Sequence, residues 1–93
     1  DREIYLPTEV SRLTVNDAVA KRISVLLKKK NLSLYRLERD SGIQHGTMQC
    51  IMNGRNKTVT LTTVMMLAKG FQISLLEFLD DDVFLSTDLE IEQ

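Results

Sequence analysis

Apolar side chains recur every three or four residues through most of the chain, which is the period of an amphipathic helix. The first such run follows Asn16 and Asp17, which offer a polar cap and an acid in the first helical turn, and it ends at three lysines, residues 28–30. Ser33 is placed to cap a second, shorter helix. Gly42 follows it, where a helix commonly ends in a left-handed residue. The pattern therefore predicts two helices before Gly42.

Three further helical segments are predicted after Gly42. The third helix covers residues 44–53, with Met48 and Ile51 on one face and polar side chains on another. The fourth is LTTVMMLAKG, with Gly70 as its expected stop, and Ser74 is placed to cap a fifth helix that includes LLEFLDDDVF. The expected apolar side of the fourth helix consists of Leu61, Val64, Met65 and Ala68. Five short helices with short connections predict an all-α domain.

The two ends of the chain differ from this helical centre. Residues 1–15 hold the only proline and have no helical period, so we expect a short N-terminal arm there. Residues 86–93 are expected to form an acidic tail, which leaves residues 16–85 as the folded domain. Two arrangements of the arm stay open: residues 3–6 could cover an apolar surface or pair as a strand with residues 89–91.

The net charge of −1 conceals a separation of charge along the chain. From Lys21 to Lys69 there are ten basic and two acidic residues, a net of +8, so the two ends together carry −9. A basic centre with acidic flanks favours a polyanion as the partner of the centre. The alternative is an uneven surface charge without a partner.

Composition excludes several classes of protein. A chain of 93 residues with a single cysteine is one domain without an intrachain disulfide, which favours a reducing compartment. No apolar run reaches the roughly 18 residues of a membrane span, so we expect a soluble cytoplasmic protein that does not bind membranes. His45 and Cys50 are the only residues of their kinds and lie five positions apart, so we expect no metal site and no cofactor. No nucleophile, base and orienting group occur together, so we expect no enzyme activity.

Residues 34–53 have the arrangement of a helix-turn-helix, in which a second helix can enter a DNA major groove. Leu37 is the expected core residue of its first helix, and Ile43 fills the corner after the turn. Beyond this motif, the Ser-Gly-Ile turn, the Asn-Gly stop and LAKGFQISLLEFL occur in a joint order and spacing that resembles the Cro/repressor (XRE-type) family of DNA-binding domains. The resemblance extends from about residue 16 to residue 79.

The resemblance implies a lambda-repressor-like five-helix domain in the bacterial or phage cytoplasm, associated with the nucleoid. Its third helix would lie in the major groove of double-stranded DNA, and the protein would be a homodimer. The residues at base-contacting positions are Gln44, His45, Gly46, Gln49 and Cys50. Those at phosphate-contacting positions are Thr47, Asn53, Arg55, Lys57 and Thr60. The fifth helix and the residues after it, rich in apolar side chains, would supply the dimer interface through Leu76, Leu79, Val83 and Phe84.

The chain departs from the family pattern at three places. Glu38 stands where a small residue is usual, at the contact between the second and third helices, so its carboxylate must reach solvent or find a donor. Leu34 replaces a Gln that commonly contacts phosphate. Leu27 and Met52 replace an Arg–Glu pair, and because both partners are apolar, no charge is left unpaired.

Two functions are compatible with these patterns. The first is a sequence-specific DNA-binding transcriptional regulator that reads the major groove with its third helix, favoured by the +8 centre and by Arg55 and Lys57. The second is a protein-interaction module on the same scaffold, such as an antitoxin or an adaptor with weak DNA binding. It is favoured by Glu38, by Leu34 and by the absence of Arg and Lys from residues 43–54.

Overall fold

The computed structural model describes residues 14–55 and 58–85. These residues form five α-helices and a final 3-10 helix, in this order: α1 Val15–Lys30, α2 Leu34–Ser41, α3 His45–Met52, α4 Leu61–Phe71, α5 Leu75–Leu79 and the 3-10 helix Asp82–Phe84. The prediction of an all-α fold with five helices is therefore confirmed. The arm before Thr14 and the acidic tail, including their possible strand pairing, lie outside the described residues.

The first helix begins earlier than predicted. Thr14 is its N-cap and forms a capping box with Asp17: the Thr14 hydroxyl accepts from the Asp17 N–H at 3.0 Å, and Asp17 accepts from the Thr14 N–H at 3.2 Å. Asn16, the predicted cap, is instead buried, and its amide donates to the Ile51 carbonyl at 3.1 Å. That prediction was wrong because Thr and Asn both suit a cap, and burial against α3 decides between them.

The core lies where all five helices meet. Its buried apolar residues are Val19, Ile23, Leu26, Leu37, Ile43, Met48, Ile51, Val64, Leu67, Ala68, Phe71 and Phe78. Phe78 packs against Phe71 and Phe84, with ring centroids 6.4 and 6.2 Å apart. On α4 the predicted apolar side is only half right, because Leu61 and Met65 are exposed and Leu67 and Phe71 are buried instead.

Gly70 lies inside α4 and does not end it. The helix continues to Phe71, and Gln72 takes the left-handed conformation at its C-cap, with φ of 61°. A Cβ on Gly70 would lie 2.8 Å from the Ser41 Cβ and 2.9 Å from a Leu37 methyl group. The glycine is therefore required for the close approach of α2 and α4, and the prediction of a helix stop was wrong.

The predicted fifth helix is divided into α5 and the 3-10 helix. The Arg22 guanidinium donates to the Phe78 carbonyl at 2.7 Å and to the Glu77 carbonyl at 2.8 Å, and it pairs with Asp81 at 3.3 Å. In a continuous α-helix those two carbonyls would accept from the N–H groups of residues 81 and 82. Arg22 takes their place, so the α-helix ends at Leu79.

Candidate nucleic-acid interface

The segment from α2 to α3 forms a compact helix-turn-helix. Ser33 caps α2 by accepting from the Arg36 N–H at 3.1 Å, as predicted. Gly42 ends the helix with φ of 81°, and its N–H donates to the Glu38 carbonyl at 3.0 Å. The Ser41 hydroxyl then accepts from the Ile43 N–H at 3.2 Å, which places the Ile43 side chain in the core. The orientation of α3 is thus fixed by the turn and by the core together.

The two faces of α3 differ in burial. Met48 and Ile51 are fully buried on the inner face, and the Ile51 carbonyl accepts the bond from Asn16 on α1. The residues predicted to contact bases form a mixed set: Gln44, His45 and Gly46 are exposed, whereas Gln49 and Cys50 are half-buried. A Cβ added to Gly46 would meet nothing within 4 Å, so this glycine serves no internal packing and leaves room for an approaching molecule.

The residues predicted to contact phosphates lie around α3. Thr47 is exposed in its first turn, and Asn53 and Arg55 are exposed directly after its last turn. Thr60 is the N-cap of α4 and accepts from the Thr63 N–H at 3.1 Å. Lys57 lies outside the described residues.

Positive charge is less available than the sequence count suggests. Arg22 is buried against α5, so it serves the fold and cannot face a ligand. Arg36 donates to Asp40 at 2.9 Å, and Arg39 lies 3.9 Å from the same carboxylate. Lys29 borders a cavity that also contains Glu77 and the acidic residues 80–81. The net charge of +8 between Lys21 and Lys69 therefore overestimates the positive charge beside α3. Among the described residues, Arg55 is the basic residue nearest to α3 along the chain.

His45 and Glu38 form a contact that sequence reasoning missed. The Nδ1 atom of His45 lies 3.1 Å from Oε1 and 3.0 Å from Oε2 of Glu38. The Glu38 side chain is only 12% exposed, whereas that of His45 is 73% exposed. Glu38 was expected to reach solvent or find a donor, and the His45 imidazole lies within hydrogen-bonding distance of both its carboxylate oxygens. The available signal was a carboxylate on α2 at the contact with α3, together with the single histidine of the chain near the start of α3.

The predicted dimer residues differ in exposure. Leu76 is 80% exposed on α5. Leu79, Val83 and Phe84 are half-buried, and Phe84 already packs on Phe78.

Comparison with known protein families supplies the deciding observation. The model of the Cro/C1-type HTH DNA-binding domain matches residues 22–82, which is most of the chain and includes the whole helix-turn-helix. The chain belongs to this family. Its members are DNA-binding domains, so DNA is the partner that family membership assigns to it. Comparison with curated proteins and with solved structures gives no match.

Residues 14–55 and 58–85, which the structure describes, contain neither a membrane-spanning helix nor a metal-binding group of side chains. Their helices are all too short or too polar to cross a lipid bilayer. In the same residues, no group of three or more His, Cys, Asp or Glu side chains is placed to hold a metal ion.

Proposed function

We propose that this Cro/C1-type domain is a sequence-specific DNA-binding transcriptional regulator that reads the major groove of double-stranded DNA with α3. The observation that carries the proposal is the orientation of α3. Its inner face is held by Met48 and Ile51 in the core, and its first turn exposes Gln44, His45 and Thr47. Amide and imidazole groups recognise base edges by hydrogen bonding without needing a charge.

The surroundings of α3 suit the DNA backbone. Thr47, Asn53 and Arg55 supply a hydroxyl, an amide and a charge along one helix and the turn after it. Lys57 follows Arg55 in the sequence, and Thr60 is the N-cap of α4, whose N-terminal N–H groups favour anions. Such contacts to phosphate supply affinity and position the protein, and base contacts supply specificity.

Fluorescence anisotropy with the full chain tests DNA binding. A duplex selected from a random library and a scrambled duplex are each titrated at two or more salt concentrations. We expect tighter binding to the selected duplex and a linear fall of log K with log salt concentration. Arg55→Ala should lower the magnitude of this slope by about one for both duplexes. Lys29→Ala removes the same charge beside α5 and should leave the slope unchanged. Equal affinity for the two duplexes would contradict sequence-specific binding.

A second candidate function is a protein-interaction module on the same scaffold. Three observations favour it: Arg22 is buried, Arg36 is paired, and residues 43–54 contain no Arg or Lys. The same titration separates the two functions. Absence of binding to both duplexes at low salt would support the interaction module, because electrostatic binding to DNA is strongest there.

We also propose a homodimer formed through Leu76, Leu79, Val83 and Phe84. Leu76 is the best residue to test, since it is largely exposed, whereas a change at Phe84 would also disturb its packing on Phe78. Sedimentation equilibrium should give a dimer for the native chain and a monomer for Leu76→Glu. Leu61→Glu places the same charge at an exposed leucine of α4 and should remain dimeric. A native chain that is monomeric at tens of micromolar would refute the dimer.

A further inference from the structure

The contact between His45 and Glu38 determines which imidazole nitrogen can face a ligand. Glu38 holds Nδ1 with both carboxylate oxygens, at 3.0 and 3.1 Å. An ionised carboxylate only accepts hydrogen bonds, so Nδ1 must carry the proton. The low exposure of Glu38 strengthens this requirement, because a carboxylate removed from water needs a donor.

A proton on Nδ1 fixes the chemistry of the other ring nitrogen. In a neutral imidazole, one nitrogen donates and the other accepts. With Nδ1–H donating to Glu38, Nε2 is therefore a hydrogen-bond acceptor on an exposed side chain in the first turn of α3.

We propose that Glu38 is a specificity-determining residue, which acts by holding His45 in the Nδ1–H tautomer so that Nε2 selects a base with an amine donor. This inference rests on the proposed reading of DNA by α3. In the major groove the amine donors are N4 of cytosine and N6 of adenine, whereas guanine offers two acceptors. Glu38 positions and polarises the imidazole from α2 and need not touch the DNA itself.

The tautomer can be measured without DNA. Long-range ¹H–¹⁵N spectra of the free protein distinguish Nδ1–H from Nε2–H, and His45 needs no assignment because it is the only histidine in the chain. At a pH well above the range in which imidazole takes up a proton, we expect Nδ1–H in the native chain. Glu38→Ala should shift the ring toward Nε2–H, the form that histidine favours in water. Asp40→Ala removes another α2 carboxylate, one paired with Arg36, and should leave the tautomer unchanged.

Base preference supplies the second readout, at the same pH. Duplexes that differ only at the base pair nearest His45, identified as the position whose preference His45→Ala abolishes, are compared by anisotropy. We expect the native chain and Asp40→Ala to prefer cytosine or adenine over guanine by about five- to tenfold, the value of one hydrogen bond. Glu38→Ala should lose or reverse this preference.

The possible failures are distinguishable. An Nε2–H tautomer in the native chain, or a base preference that Glu38→Ala leaves unchanged, would overturn the role of Glu38. A chain that binds no DNA, with the Nδ1–H tautomer observed, would instead overturn the proposed function and with it the selection of a base.

Discussion

Replacement of Arg22 by alanine should destabilise the domain more than replacement of any exposed arginine. Arg22 donates at 2.7 and 2.8 Å to two carbonyls at the end of α5, and its ion pair with Asp81 spans 3.3 Å. Hydrogen bonds from a charged group contribute about 1.5 kcal/mol each at the lower end of their range, so the two carbonyl bonds give about 3 kcal/mol. Asp81 is 30% exposed, so its ion pair adds only about 0.5 kcal/mol.

The expected loss in the free energy of unfolding for Arg22→Ala is therefore about 3 to 4 kcal/mol, a substantial part of the roughly 5 to 15 kcal/mol typical of native domains. Urea unfolding followed by circular dichroism measures it. With a slope of about 1 kcal/mol per M, the unfolding midpoint should fall by about 3 to 4 M. Arg22→Lys should recover only part of the loss, because a single ammonium group cannot match the guanidinium fork.

Arg36→Ala is the matched control. Arg36 makes an exposed ion pair with Asp40 four residues along the same helix, which contributes about 0.5 kcal/mol or less. An Arg22→Ala midpoint within about 0.5 M of the Arg36→Ala midpoint would refute the assignment of Arg22 to the fold. Arg22 would then also count among the basic residues that are free to contact DNA.

Substitutions at three further positions can be measured by the same unfolding experiment. Gly70→Ala should destabilise the domain by about 1 kcal/mol, because overpacking against Ser41 outweighs the better helix propensity of alanine. A variant more stable than the native chain would contradict the close approach of α2 and α4. Gly42→Ala should cost about 1 kcal/mol, because φ of 81° suits only glycine well; an unchanged midpoint would mean that the turn can relax. Asn16→Ala should lower the free energy of unfolding by about 1 to 2 kcal/mol, because the Ile51 carbonyl loses its donor. Asn16→Asp should lower it further, and two variants as stable as the native chain would argue against burial of this side chain.

Helix number and the position of the turn could be predicted from the sequence. The spacing of apolar residues and the caps at Ser33 and Ser74 are local signals, and both caps are present in the structure. The left-handed turn at Gly42 is also local, since glycine alone adopts it at little cost. These features require no knowledge of which helices touch.

Features that depend on contacts between helices could not be predicted. Gly70 has the same local signature as a helix stop, and only its contact with α2 reveals its role. The charge count included Arg22 as a surface charge, whereas in the structure its guanidinium donates to two carbonyls at the end of α5. Likewise, the family resemblance implied a base contact for His45, but the sequence could not reveal that the Glu38 carboxylate lies against its Nδ1 atom.

The proposed reading of bases by α3 is tested most directly by the base preference of Gln49→Ala. Affinities of the full chain for single-base variants of the selected duplex are compared between the native protein, Gln49→Ala and Arg55→Ala. Gln49→Ala should lose about 1–3 kcal/mol of discrimination at one position and keep the preferences at the others. Arg55→Ala should weaken binding to all duplexes alike. If Gln49→Ala weakens every duplex equally, or changes none, then α3 does not read the DNA sequence.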